Sequence, residues 1–115
     1  MEKTMKNVQV EKVIRDGNVA VLVSPGYGAG WSTWSSSFSE FLIFDRRLVE
    51  LAEKKADEAA VKQVLEEQFG DAYIHTSGWR DIRIEWVPVG TMFRITEYDG
   101  NESIEINNDV KWHSA

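Results

Sequence analysis

The apolar run Val-Ala-Val-Leu-Val at residues 19–23 constrains the fold most strongly, because it follows an Asp-Gly pair almost directly. Asp16-Gly17 supplies the positive φ angles that a tight hairpin turn requires. Residues 7–23 are therefore predicted to form a β-hairpin. A strand that is apolar on both faces is expected in the middle of a sheet, and Pro25 is expected to end it.

The middle of the chain shows helical periodicity. Asp45 is a suitable N-cap for a helix that runs to about residue 55, and Asp57 is a suitable N-cap for a second helix. Gly70 stands where a left-handed C-terminal cap is usual. One continuous helix with a kink near residues 54–57 is the alternative.

After Gly70 the apolar residues recur with a period of two, as in strands. Strands are predicted at residues 72–76, 82–86, 92–98 and 102–106, with Val110 and Trp112 in a last one. Residues 88–90 are predicted to turn the chain between strands 82–86 and 92–98, which could then pair across this turn. Asp99-Gly100 is predicted to make a second hairpin turn, between strands 92–98 and 102–106. The order predicts an α+β fold, with an antiparallel sheet of five or six strands and a central helical segment packed on one face.

Length and composition narrow the class of protein. At 115 residues, with 43% hydrophobic side chains, residues 1–115 are expected to form a single domain. The sequence has no cysteine, which excludes disulfides and thiolate metal sites. No signal peptide and no membrane span is recognised, so a cytoplasmic location is expected. The formal charge of −6 argues against non-specific binding to nucleic acid, but it leaves open an acidic surface for a basic partner.

Residues 24–37 form the segment that most resembles a binding site, because glycine, serine and large aromatic residues alternate there. The aromatic faces can stack on a base or a sugar, and the glycines allow the backbone to approach a ligand. The candidate ligand-binding residues of this segment are Gly26, Tyr27, Gly28, Gly30, Trp31, Ser32 and Trp34. The alternative is that Trp31 and Trp34 fold back over the hydrophobic core.

A second candidate cluster lies further along the chain. It combines one aromatic residue with three arginines, which together suit a phosphate group. Its members are Trp79, Arg80, Arg83 and Arg94. This hypothesis requires Arg83 and Arg94 to approach one face of the sheet. The alternative is that the arginines form ordinary salt bridges with Glu85, Glu97 or Asp81.

Candidates for catalysis are sparse. His75 and His113 are the only histidines, and neither has a second ligand at the spacing of a metal site. The serines do not occur in a Gly-x-Ser-x-Gly motif. We therefore expect no enzymatic activity, no cofactor and no metal.

Three segments resemble a family of small phage-encoded proteins that are generally labelled hypothetical. They are VAVLVSPGYGAGWSTW at residues 19–34, RDIRIEWVP at residues 80–88 and FRITEYDGNESI at residues 93–104. Small phage proteins often counter host immunity, and some sequester the cyclic nucleotide messengers of the CBASS and Thoeris defence systems. A member of that kind would bind such a messenger without cleaving it, in the infected cell, and often as a homo-oligomer.

Three hypotheses about function follow. The first is a cyclic nucleotide sponge, in which the tryptophans stack on bases and the arginines neutralise phosphates. The second is an acidic inhibitor that binds a host defence enzyme or nucleic-acid enzyme through charge complementarity. The third is a carbohydrate-binding module that uses the same aromatic residues.

Overall fold

The computed structural model describes residues 10–26, 28, 30–106 and 113–114. Within these residues the chain forms two antiparallel sheets of three strands each. The first sheet contains β1 (Ile14–Arg15), β2 (Asn18–Val23) and β3 (Arg83–Pro88), in the order β1-β2-β3. The second contains β4 (Met92–Tyr98), β5 (Asn101–Ile106) and β6 (His113–Ser114), in the order β5-β4-β6.

Three α-helices lie between β2 and β3 in the chain: α1 (Ser39–Phe44), α2 (Arg46–Glu53) and α3 (Glu58–Phe69). The Asp45 side chain accepts a hydrogen bond from Arg47 N at the start of α2, and Asp57 accepts one from Ala60 N in α3. Gly70 follows α3 with φ of 68°. Two short 3₁₀ helices, Ser36–Phe38 and Ser77–Asp81, complete the helical structure of this part of the chain. None of the helices in the described ranges is long and apolar enough to cross a membrane.

The predicted hairpins are confirmed. Asp16 and Gly17 have φ of 52° and 79°, and Asp99 and Gly100 have φ of 53° and 86°. Positive φ at both central residues is the geometry of a type I′ turn, whose twist matches that of the flanking strands. The same local sequence therefore builds the β1–β2 turn and the β4–β5 turn.

β2 is the central strand of the first sheet, as its apolar sequence predicts. Ala20 and Leu22 pack into one core cluster, together with residues of α2 and α3. Val19, Val21 and Val23 point the other way into a second cluster, which includes Phe93 of the second sheet. The first sheet thus lies between α2 and α3 on one side and the second sheet on the other, and α1 contributes Ile43 and Phe44 to the second cluster.

The fold is α+β, as predicted, but its described strands form two sheets and not one sheet of five or six strands, because strands 82–86 and 92–98 do not pair with each other. β3 pairs with β2 along its whole length, from Asn18 opposite Pro88 to Val23 opposite Arg83. The contact continues past the strand, because Val89 N donates to Gly17 O. The chain turns only at Gly90, which has φ of 86°, and β4 then joins β5 and β6 in a separate sheet.

Two further elements differ from the prediction, and one lies outside the described residues. Residues 72–76 have no strand structure; here His75 N donates to Ser35 Oγ and Thr76 Oγ1 donates to Glu58. Helix α1 was not predicted, because its four apolar residues are consecutive and all buried, which hides helical periodicity. Val110 and Trp112 fall outside the described ranges.

Asp45 generates a testable prediction about pH. Burial raises the pKa of this carboxyl above its ordinary value. The folded state therefore binds the proton more tightly, and the contribution of Asp45 to stability falls as the pH rises above about 3.9, the ordinary aspartate value. We expect Asp45→Asn to keep the helix cap and to gain stability relative to wild type between pH 4 and 7, whereas Asp45→Ala should lose about 1 kcal/mol.

Urea denaturation at several pH values measures both variants. If Asp45→Asn lost as much free energy of unfolding as Asp45→Ala, the raised pKa of Asp45 would be contradicted.

Candidate functional site

The aromatic loop, defined here as residues 24–34, is held by a buried carboxylate. Glu102 is only 1% exposed. Its Oε1 accepts a hydrogen bond from Ser24 N at 3.1 Å, and its Oε2 accepts from Thr33 N at 3.0 Å and from Thr33 Oγ1 at 2.7 Å. Glu102 N also donates to Ser24 O at 3.0 Å. Both ends of the loop are therefore attached to one residue of β5.

The glycines of the loop serve the protein's own packing. Gly28 N donates to Asp99 O at 2.6 Å, and Gly30 N donates to Gly100 O at 2.8 Å. A side chain at position 26 would collide with the Asp81 carboxylate, and one at position 30 would collide with the Trp34 ring. In this conformation the amides of Gly28 and Gly30 already have hydrogen-bond partners. The space beside Gly26 and the space beside Gly30 are filled by other side chains of the protein.

Trp31 belongs to the core. Its side chain is fully buried, and its Nε1 donates to Leu42 O at 2.8 Å. Its ring lies 5.6 Å from that of Trp79, which is also buried and donates from Nε1 to Ala56 O. Ser32 is buried as well. Trp31 presents no face to a ligand. It packs in the hydrophobic core, as the alternative interpretation of this segment predicts.

Trp34 remains at the surface, with 45% of its side chain exposed. Its Nε1 donates to Glu97 Oε2 at 3.1 Å, and the same oxygen accepts from Gly100 N at 2.7 Å. The Trp34 ring also lies 5.1 Å from the ring of His75. The indole is thus held in a fixed orientation with an accessible side. Tyr27, the third aromatic residue of the prediction, lies outside the described residues.

His75 connects this surface to a cleft of about 630 Å³, which we call the α3 cleft. One wall is formed by α3 and the other by the segment that follows it, residues 70–77. The ionisable side chains that line it are Glu58, Glu66, Asp71, Lys62, Tyr73 and His75. His75 Nε2 is 2.8 Å from Ser77 Oγ, which fixes the imidazole at the cleft wall.

Tyr73 is the most exposed large residue of the cleft, at 85%. Carboxylates predominate around it, because Glu58, Glu66 and Asp71 face a single lysine, Lys62. No pattern in the sequence predicts this cleft. Its residues come from α3 and from a segment that was predicted to be a strand, so no local motif marks them.

The predicted arginine cluster is not assembled. Arg83 lies on β3 and pairs with Glu85 at 3.6 Å, whereas Arg94 lies on β4 in the other sheet and pairs with Glu105 at 3.3 Å. The expectation that the two approach one face of a sheet is wrong, because β3 and β4 do not pair. Trp79 and Arg80 do lie together, beside a smaller cleft of about 410 Å³.

Ion pairs neutralise much of the basic charge. Arg15 binds Glu53 through two hydrogen bonds, and this contact lowers the pKa of Glu53 and raises that of Arg15. Arg46 pairs with Glu11, and Arg47 with Glu67. Among the described residues, no group of three or more His, Asp or Glu could hold a metal ion.

No protein-family model, curated protein or solved structure matches the chain.

The two tryptophans of the aromatic loop should respond differently to truncation. Trp31→Ala removes a fully buried ring and should cost about 3–5 kcal/mol of unfolding free energy. Trp34→Ala removes a half-exposed ring and should cost about 1–2 kcal/mol. Chemical denaturation of both variants tests this difference, and equal losses would contradict the placement of the two rings.

Proposed function

We propose that this protein is a non-catalytic binding protein that holds a basic segment of a partner protein in the α3 cleft. The observation that carries the proposal is the Tyr73 ring, 85% exposed on the wall of a cleft in which carboxylates outnumber cations. A solvent-exposed tyrosine ring on a concave acidic surface is suited to bind a ligand that has both a positive charge and an apolar surface.

The distribution of charge supports a basic partner over an anionic ligand. Glu66 lies in the last turn of α3 and Asp71 just after it, whereas Glu58 begins α3 and pairs with Lys62 at 3.9 Å. Among the described residues that line the cleft, these three carboxylates face one lysine, Lys62. Arginines that would neutralise a phosphate instead form ion pairs elsewhere on the surface, as Arg83 and Arg94 do. The formal charge of −6 adds a long-range attraction for basic surfaces, which accelerates association.

The aromatic residues supply the specific contacts. A guanidinium or ammonium group above the Tyr73 ring gains cation–π attraction of roughly 0.5–1 kcal/mol at an exposed site. The carboxylates of Glu66 and Asp71 can accept its hydrogen bonds. His75 and Trp34 extend the contact surface beyond the cleft.

The biological role proposed with this site is that of an acidic inhibitor. In the phage setting that the resemblance implies, the partner would be a host defence enzyme or nucleic-acid enzyme with a basic surface. Binding of an acidic protein at such a surface blocks access of the natural anionic substrate.

A titration with a short arginine-rich peptide tests the proposal. We expect Tyr73→Ala, and separately the double change Glu66→Gln with Asp71→Asn, to weaken binding roughly two- to fivefold, since each removes roughly 0.5–1 kcal/mol of contact or charge attraction. Removing two carboxylates should also flatten the dependence of affinity on salt. Calorimetry at two salt concentrations measures both effects.

Matched controls separate the cleft from general acidity. Tyr98 is a tyrosine of similar exposure, 76%, on the second sheet, so Tyr98→Ala should not change affinity. Asp99→Asn with Glu105→Gln removes the same charge as the cleft variant, but away from the cleft, and should weaken binding much less. Equal losses in control and cleft variants, or no binding of the peptide at all, would contradict the proposal.

A second candidate, the cyclic nucleotide sponge, is favoured by one observation. Trp34 keeps an accessible side next to His75, and a base could stack there. Titrating cyclic nucleotides against the same variants distinguishes the two. Binding that is lost in Trp34→Ala and unchanged in Tyr73→Ala, with intact nucleotide recovered afterwards, would support the sponge in place of the peptide-binding function.

A further inference from the structure

The outer edge of β3 carries backbone N–H and C=O groups that can form hydrogen bonds with another strand. Among the described residues, β3 is an edge strand that pairs only with β2. Val89 N donates to Gly17 O in line with the β2–β3 register, so Arg83, Glu85 and Val87 direct their backbone groups towards β2. Because this pattern alternates, Ile84 and Trp86 direct their backbone N–H and C=O outwards.

This edge carries few of the devices that protect a strand from pairing with another chain. Such devices include short strands, prolines, bulges, charged side chains and a covering helix or loop. β3 has six residues and reaches proline only at its last position, Pro88. Its two charged residues, Arg83 and Glu85, have opposite signs, so they do not have to repel a second copy of the same strand. Trp86 is 40% exposed, with the Arg15 guanidinium over its ring, and Val89 is 52% exposed. They add apolar surface beside backbone groups that have no strand partner in the described part of the chain. An edge of this kind is suited to another strand.

The side chains of β3 are complementary to a second copy of the same strand. If two copies pair antiparallel with the two-fold axis at Ile84, Arg83 of each copy lies opposite Glu85 of the other. Both residues lie on the same face of the sheet, opposite Val23 and Val21 of β2. On the other face, Ile84 meets Ile84. Ile82, which would face Trp86 of the second copy, precedes β3 and its N–H already donates to Trp79 O, so the strand pairing between the two copies covers residues 83–85 of each.

The charges also favour this register over the one in which the two-fold axis lies one residue further along, at Glu85. Moving the axis by one residue would place Glu85 directly opposite Glu85 of the second copy, and like charges at that position are destabilising. The register centred on Ile84 instead creates two pairs of opposite charges. It uses outward-facing backbone groups at the axis, so it breaks none of the bonds between β3 and β2.

We propose that two copies of this chain associate through β3, joining their first sheets into one continuous antiparallel sheet. The interface is an isologous one, in which the same strand contributes from both sides. It leaves the α3 cleft, whose lining comes from α3 and residues 70–77, outside the contact.

Charge reversal tests the register directly. The wild type should have twice the mass of the 13.2 kDa chain in light scattering at high micromolar concentration and should dissociate on dilution. Arg83→Glu alone or Glu85→Arg alone places like charges opposite each other in both registers, and each should weaken the dimer on the order of ten- to a hundredfold. The double variant Arg83→Glu with Glu85→Arg restores opposite pairs and should restore the dimer.

Glu105→Arg is the matched control, because it reverses one acidic residue beside an arginine in the second sheet. It should leave the mass unchanged. Thermal melts show whether each variant is folded. A wild type that stays monomeric, single variants that still form dimers, or a double variant that fails to recover although folded would each overturn the proposal.

Discussion

The hydrogen bonds accepted by the Glu102 carboxylate are the interactions on which the position of the aromatic loop between the two sheets depends. The carboxylate is buried, and it accepts three hydrogen bonds from Ser24 and Thr33, the two ends of the aromatic loop. Removal of a buried acceptor leaves its donors unsatisfied, at a cost of about 1–3 kcal/mol for each group. Because Ser24 directly follows β2 and Glu102 belongs to β5, this carboxylate also joins the end of the first sheet to the edge of the second.

This attachment determines what the aromatic loop can do. With both ends held, the loop lies along the Asp99–Gly100 turn, and its glycine amides bond to that turn. Trp31 is then directed into the core and Trp34 onto the surface. A segment with the composition of a ligand-binding loop is thus built mainly into the fold. What remains for recognition is the exposed side of Trp34, its neighbour His75 and the acidic cleft beyond.

Local signals predicted most of the elements, although not α1 or the irregular segment 72–76, and they did not predict how the strands pair. The Asp-Gly turns and the caps at Asp45, Asp57 and Gly70 depend on a few neighbouring residues, and the structure confirms them. The pairing of β3 with β2 depends on contacts between residues 60 to 70 positions apart, and alternation within one strand does not identify its partner. For the same reason neither the α3 cleft nor the buried position of Glu102 was predicted.

Amide hydrogen exchange at Ser24 and Thr33 tests the central role of Glu102 most directly. Both amides donate to its carboxylate, so they should exchange as slowly as the amides of β2 and much faster in Glu102→Gln, whose amide group cannot accept at both positions. The exchange is resolved residue by residue by NMR. Exchange at Ser24 and Thr33 in the wild type at the rate of an unprotected peptide, or unchanged protection in Glu102→Gln, would contradict the account.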